Sequence, residues 1–441
     1  MLSDILNNLR AGLLTTSTLT QSTTANGQTL FNGFFQNAAV QDAPAFVLGN
    51  DFSNLLNFGQ ISTVNAPAAI QVPGIGVNIA NFPFGNIQAN NGPNVLNAAG
   101  IQVTGAADIF NFGQISGGFN GIEFLTGGAG TGTGGLINQI FGDGNGPAGL
   151  GVFNLGTIAG DAGAGIDVQV GQDKEDVIVE EDVVADLDQV APEEIVAAPD
   201  LQDDESINID GVGDATVDIV NLGLITSQSP EGTAGGIRIA DGVNAQGSIL
   251  NAVTGTIEGV SNGIYIGEGA HDLDIVNQGT IQSDSRAVNI DGTGVDLTNG
   301  GDILGTADQR NGTVYADGTA DDFAVTNLED GVIDAGDGNQ GSGFGVEIGG
   351  AEDGANTFTL DNAGIIQGRG NASAASPLAG DGVRVGNVGN VGVTDAIITN
   401  SGTIDSEGAN GTVAGVRFVN GVSFQGEFNN SGDISGVQNG V

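Results

Sequence analysis

Apolar and polar residues alternate in short bursts along most of this chain, and the bursts share one phrase. An apolar residue, an Asn, a Gly and an Ile follow one another at steps of two. The phrase reads NFGQI at Asn57 and Asn111, NLGTI at Asn154, NLGLI at Asn221 and NQGTI at Asn277. It returns as NGGDI at Asn299, NAGII at Asn362, NSGTI at Asn400 and NSGDI at Asn430. Two stretched versions, NAVTGTI at Asn251 and NLEDGVI at Asn327, carry two extra residues before the glycine. A step of two is the period of a β-strand, because successive side chains leave a strand on opposite faces.

A second phrase, Gly-apolar-x-apolar, follows most copies: GVNI at Gly76, GIEF at Gly121, GIDV at Gly165, GIRI at Gly236 and GIYI at Gly263. Later come GVEI at Gly345, GVRV at Gly382 and GVRF at Gly415. Each repeat thus predicts two short strands with one buried face apiece, separated by turn residues. The shortest period, Asn277 to Asn299, is too short for a βαβ crossover, which needs roughly 30 residues. The spacing predicts an all-β, right-handed parallel β-helix of about ten to twelve coils stacked about 4.8 Å apart.

In that arrangement the Asn side chain points inward at a corner. Stacked amides there hydrogen-bond from coil to coil, and the glycine supplies a positive φ. The expected ladder is Asn57, Asn111, Asn154, Asn221, Asn251, Asn277, Asn299, Asn327, Asn362, Asn400 and Asn430, read as architecture and not as a ligand site. The Phe residues crowd before residue 160, and Phe34, Phe35, Phe46, Phe58, Phe82, Phe84, Phe112 and Phe124 are expected to stack inside wider coils.

The pattern divides the chain. Residues 1–50 form an entry segment, whose Leu2, Ile5, Leu6, Leu9 and Leu13 predict a short amphipathic helix over 1–15 that caps the first coil. Residues 51–171 are the first part of the β-helix and 207–441 the second. Between them, 172–206 lack glycine, hold the only lysine (Lys174) and are densely acidic, the signature of a looped-out, mobile insertion. The final phrase stops at Val441 without a capping element, so the expectation is a chain that continues or an end that stacks on another chain.

Charge then narrows the function classes. The chain has 53 acidic and 8 basic residues, a net charge of −45, and no Cys. Such a field repels phosphate backbones, which excludes nucleic-acid binding. It suits a saline or calcium-containing exterior with weak cation association, and no stretch is long and apolar enough to span a bilayer as a helix. Disulfides and thiolate metal sites are ruled out. Candidate catalytic groups are sparse: Asp210, Asp214 and Asp218, the pair Asp272 and Asp274, and the single histidine His271, all read as turn residues. The run GGAGTGTGG from Gly127 lacks the GK[ST] ending of a phosphate loop, and GGAEDGAN at Gly349 does not match a calcium nonapeptide.

One line of side chains invites a binding role. The middle residue of the second phrase should point outward: Asn78, Glu123, Asp167, Arg238, Tyr265, Asn289, Glu347, Arg384 and Arg417. Three of the seven arginines lie here. Arg238, Tyr265, Glu347, Arg384 and Arg417 form the candidate binding strip, with an ion-pair ladder as the competing reading.

The NxGxI phrase followed by GIxI, in a Gly/Asn/Thr-rich acidic chain, resembles the passenger region of bacterial autotransporters and related β-helical surface adhesins over about residues 50–441. The resemblance implies a cell-surface or extracellular structural or adhesive protein, with glycans or neighbouring surface proteins as partners. The chain departs from that family in lacking a recognisable signal peptide and a C-terminal membrane barrel. A carbohydrate-active β-helix enzyme, polysaccharide lyase or hydrolase, is the alternative.

Overall fold

One coil shows how the phrase becomes structure. In His271–Asn277 the alternate residues Leu273, Ile275 and Asn277 are wholly buried, while Asp272 and Asp274 face out. The chain turns at Asn277, runs through Thr280–Ser283 with Ile281 inward, turns again, and runs through Arg286–Ile290 with Val288 and Ile290 inward. It then reaches the next coil at Thr293–Asn299, in register with the strand it left. Three strands per coil, each parallel to its counterpart one coil away, make a parallel β-helix.

The computed structural model describes residues 18–19, 23–25, 29–33, 37–49, 53–92, 95–126, 149–170, 215–305, 312–317, 320–336, 342–349, 355–370, 380–386, 393–407, 414–419, 423–436 and 439–441. Among them are forty strands and no helix. The sheet that carries the asparagines has 13 strands. The other two faces together hold 27, joined by a short antiparallel contact of Ser342 and Gly343 with Gly370 and Arg369. The expected helix over 1–15, the acidic segment 172–206, and Phe34 and Phe35 lie outside the described residues.

A single apolar cluster runs from Ala38 to Val416. Its most regular column is Ile61, Ile87, Ile115, Ile158, Ile225, Ile257, Ile281, Ile303, Ile333, Ile366 and Ile404, all fully buried. In-register stacking lets one residue type meet itself at every step, so the interior is filled by rows of methyl groups rather than by a jigsaw of unlike shapes. Strand Gly149–Asn154 pairs in register with Ala215–Asn221, so the stack continues across the long interval between them.

Two expectations change. The corner glycine is needed for closeness, not for positive φ. A Cβ on Gly156 would lie 2.0 Å from the Gly113 carbonyl oxygen, and one on Gly223 would lie 2.2 Å from that of Gly156. Neither glycine is among those with positive φ. Each corner stacks its backbone directly on the corner of the previous coil, leaving no room for a side chain.

The aromatics are the second correction. Phe46 and Phe124 do point inward. Phe58, Phe82 and Phe112 instead follow a ladder asparagine and stack on the outside of the corner. Phe58 and Phe82 have ring centroids 3.9 Å apart, and Phe84 is 78% exposed. The residue after an inward Asn must face out, whatever its hydrophobicity.

Candidate functional site

Three polar regions follow from this architecture. The first is the asparagine corner. Each amide nitrogen donates to the amide oxygen one coil on, from Asn32 to Asn57 at 2.6 Å through Asn400 to Asn430 at 2.8 Å. Twelve such bonds link thirteen asparagines without a gap. The second amide proton is used too: Asn251 Nδ2 donates to the Thr280 carbonyl at 3.0 Å. The corner N–H of Gly156 donates to Asn154 Oδ1 at 3.1 Å, so the oxygen also serves twice. With donors and acceptor all engaged and the side chains at 0% exposure from Asn57 to Asn400, the column has nothing left to offer a ligand.

The eleven asparagines named from sequence all stand in this column, with Asn32 and Asn81 in addition. Asn81 heads NFPFGNI, a third stretched copy whose extra residues fold into a tight turn closed by Gly85 N to Phe82 O at 2.7 Å. Aromatic and proline residues hid the phrase, although its Ile87 keeps the column position. Asn32 lacks the Gly-x-Ile that should follow, and Ala38 takes the isoleucine place.

The second region is the outward line on the third strand of each coil. After Thr24 and Val47 its order is Gln71, Gln102, Glu123, Asp167, Arg238, Tyr265, Asn289, Tyr315, Glu347, Arg384, Arg417. Asn78 does not belong to it: its GVNI phrase forms a strand of the asparagine-bearing sheet leading to Asn81, where Asn78 pairs with Asn54 and Asp108. Gln71, Gln102 and Tyr315 are members that sequence reading missed, and both tyrosines of the chain lie on this line.

These side chains point away from the coil interior, yet Asp167, Tyr265, Glu347 and Arg384 are all 5% exposed or less. They are held by one another and by side chains off the line, among them Asn120, Arg286 and Asp381. Gln102 Nε2 donates to Glu123 Oε2 at 2.7 Å, and Asn120 Nδ2 donates to Asp167 Oδ2 at 2.9 Å. Arg238 Nη1 donates to the other Asp167 oxygen at 2.9 Å. Arg384 reaches Glu347 at 3.1 Å and lies over the Phe344 ring at 4.6 Å. Arg417 takes Asp381 at 2.8 Å, and Arg286 stacks on Tyr315 at 3.8 Å.

Burial raises the Glu123 and Glu347 carboxyls, with Gln102 and Arg384 respectively opposing it. Tyr265 Oη lies 2.6 Å from Asp241 Oδ1 and 2.9 Å from Asp291 Oδ2, one phenolic proton between two carboxylates. Burial first, then the Asp241 contact, pushes the phenol well above its usual range. Burial likewise brings Asp291 up to about 6. The Glu347–Arg384 contact is the ion pair that strand spacing allowed, and the strip as a whole is a lateral polar network.

The third region is a groove of about 560 Å³ on the outer face of the isoleucine strands, lined by Thr226, Glu258, Gln282, Leu304, Asp334 and Arg369 among others. Arg369 grips Asp334 through Nε to Oδ1 at 2.7 Å and Nη2 to Oδ2 at 2.8 Å. Gln282 Nε2 donates to Glu258 Oε2 at 2.8 Å. Sequence reading did not single out these residues, because they sit at variable outward positions of the conspicuous phrase.

The remaining candidates do not converge. His271 Nδ1 lies 3.1 Å from its neighbour Asp272, which occupies a left-handed turn with φ 50°. Asp218 accepts from Ser248 Oγ at 3.0 Å. Asp210 and Asp214 fall outside the described residues. Among those described, no group of three or more His, Cys, Asp or Glu is arranged to hold a metal ion. Comparison with family models, with curated proteins and with solved structures found no match to the chain.

Proposed function

We propose that this chain is a non-enzymatic structural and adhesive solenoid acting at the cell surface or outside the cell, as an adhesin passenger or a building block of a surface layer or filament. The observation that carries the reading is the unbroken run of twelve amide bonds along the axis. The most repeated polar side chain is committed to joining coils, which suits a molecule whose task is length and rigidity. The net charge of −45 favours a dispersed rod in a saline exterior. The resemblance to autotransporter passengers supports the same reading at the level of architecture.

Electron microscopy and small-angle scattering of the purified chain, with and without calcium, test it. The expected result is stiff rods, or filaments and sheets built from them; compact flexible particles would defeat the proposal. A carbohydrate-active enzyme is the second reading, favoured by the Glu258–Asp334–Arg369 groove. Release of new sugar ends from a polysaccharide, abolished by Glu258→Gln or Asp334→Asn, would put that reading first.

A further inference from the structure

We infer that two copies of this chain pack side by side along the asparagine corner of the first half of the rod. The first observation is aromatic. Outside that corner Phe58, Phe82, Phe112 and Phe153 follow one another coil by coil, with centroid separations of 3.9, 6.3 and 6.3 Å. Phe84 is 78% exposed, Leu155 44% and Phe112 37%.

The second observation is charge. From the Asn57 coil to the Asn277 coil, three outward positions line the corner: just before the ladder Asn, just after it, and just before the isoleucine. Not one of these positions is charged, in a chain with 53 acidic residues. Beyond it the same positions hold Asp302, Asp361 and Asp433, and no Phe. A surface this acidic repels its own copy, and a stripe that is both uncharged and apolar is a face on which a second copy can approach.

Period and area also point to a second copy. The rows repeat at the coil spacing of about 4.8 Å, which an identical β-helix matches step for step. The Phe58 and Phe82 rings stack nearly parallel, 7° apart, so their faces are used on each other and their edges point outward. Sugars stack on ring faces, whereas ring edges interdigitate with another apolar row. Seven coils of about 4.8 Å and three columns make a patch of about 600 Å² per copy, at the lower edge of specific interfaces and fit for reversible pairing. A two-fold axis through the middle of the stripe passes near Leu155, bringing the two Leu155 residues together. This pairing is independent of the adhesive reading and holds for a rod of any surface function.

Sedimentation of the full chain across concentration tests it. Dimers are expected, and they should tighten as salt screens the acidic surfaces. Phe84→Asp with Phe112→Asp, both at exposed positions, should weaken the dimer by about tenfold or more while leaving circular dichroism unchanged. Because the chain has no cysteine, Leu155→Cys should oxidise to a covalent dimer and Thr326→Cys, beyond the stripe, should not. A monomer at every concentration and salt, a dimer indifferent to the paired aspartates, or equal cross-linking at both cysteines would overturn the inference. So would a monomer that sheds the stripe's protection only when residues 1–17 are removed, which would make the N-terminal segment the occupant, or one that instead binds lipid vesicles.

Discussion

Two polar columns run along this molecule, and they are built on opposite rules. The corner column repeats one residue thirteen times, each amide hydrogen-bonded to the next. The outer column on the third strands runs Gln, Gln, Glu, Asp, Arg, Tyr, Asn, Tyr, Glu, Arg, Arg from Gln71 to Arg417. An amide carries donor and acceptor together, so copies of it stack without limit. A carboxylate only accepts and a guanidinium only donates, so neither stacks on itself. Wherever like charges adjoin in the outer column, a third group intervenes. Asn120 sits between Glu123 and Asp167, and Arg384 and Arg417 each have their own carboxylate. The comparison teaches that a parallel stack buries uniform polarity only when the side chain is self-complementary.

The sharpest way to break the comparison is to make the corner obey the outer column's rule. Asn251→Asp keeps the shape but removes both donors that reach Asn277 and Thr280, and it adds a charge at 0% exposure. The cost is about 4 kcal/mol or more, because a buried charge and two orphaned carbonyl oxygens are created together. Urea unfolding should show it, as a lower midpoint or as separate melting of the coils on either side. A midpoint within error of the parent would mean that the ladder is incidental to stability.

The outer column should break differently. Arg384→Ala leaves Glu347 buried with the Gly312 N–H, at 2.9 Å, and the charge of Arg286 to hold it, a loss of about 3 kcal/mol. Replacing both members, Glu347→Leu with Arg384→Met, should recover most of that loss, since a buried ion pair returns little beyond its own desolvation. No such rescue exists for Asn251, whose neighbours on both sides need an amide. Equal losses for the single and double variants of the outer pair would erase the distinction.

The same contrast explains what the sequence made legible. The ladder, the isoleucine column and the coil geometry show in a linear reading because repetition is their mechanism, and eleven of the thirteen corner residues announce themselves. Asn81 was hidden only by the Phe-Pro-Phe that fills its lengthened corner. The outer network is not legible in the same way. Its partners come from different coils and from turns, as Asp381 does for Arg417 and Asp291 for Tyr265. The order Arg, Tyr, Asn, Tyr has no period to find, and GTVYA at Gly312 does not match the Gly-apolar phrase that located its neighbours. That these outward residues are buried also defies strand alternation, which assigns direction but not cover.

The smallest expected effect concerns protons, and it separates the columns once more, because asparagines do not titrate. Asp291 and Asp381 are each raised from the ordinary 3.8 to about 6, in both cases chiefly by burial. Folding thus tightens their hold on a proton. Their contribution to stability is full below the unfolded value, declines as pH climbs through the window between the two values, and is gone above about 6. For Asp291 the Asp317 and Asp241 carboxylates add to burial, while the Tyr265 hydroxyl that donates to it and the Arg286 charge oppose the rise. The urea midpoint should therefore be higher near about pH 4.5 than near about pH 7.5, and Asp291→Asn should flatten the slope by about 1 kcal/mol after allowance for solvent screening. Tyr265→Phe, which takes away a hydrogen bond that holds Asp291 down, should steepen it, and Asn251→Asp should add a slope of the same sign that the parent corner lacks. An Asp291→Asn variant whose pH slope matches the parent would show that the acidic surface as a whole, and not this contact, sets the dependence.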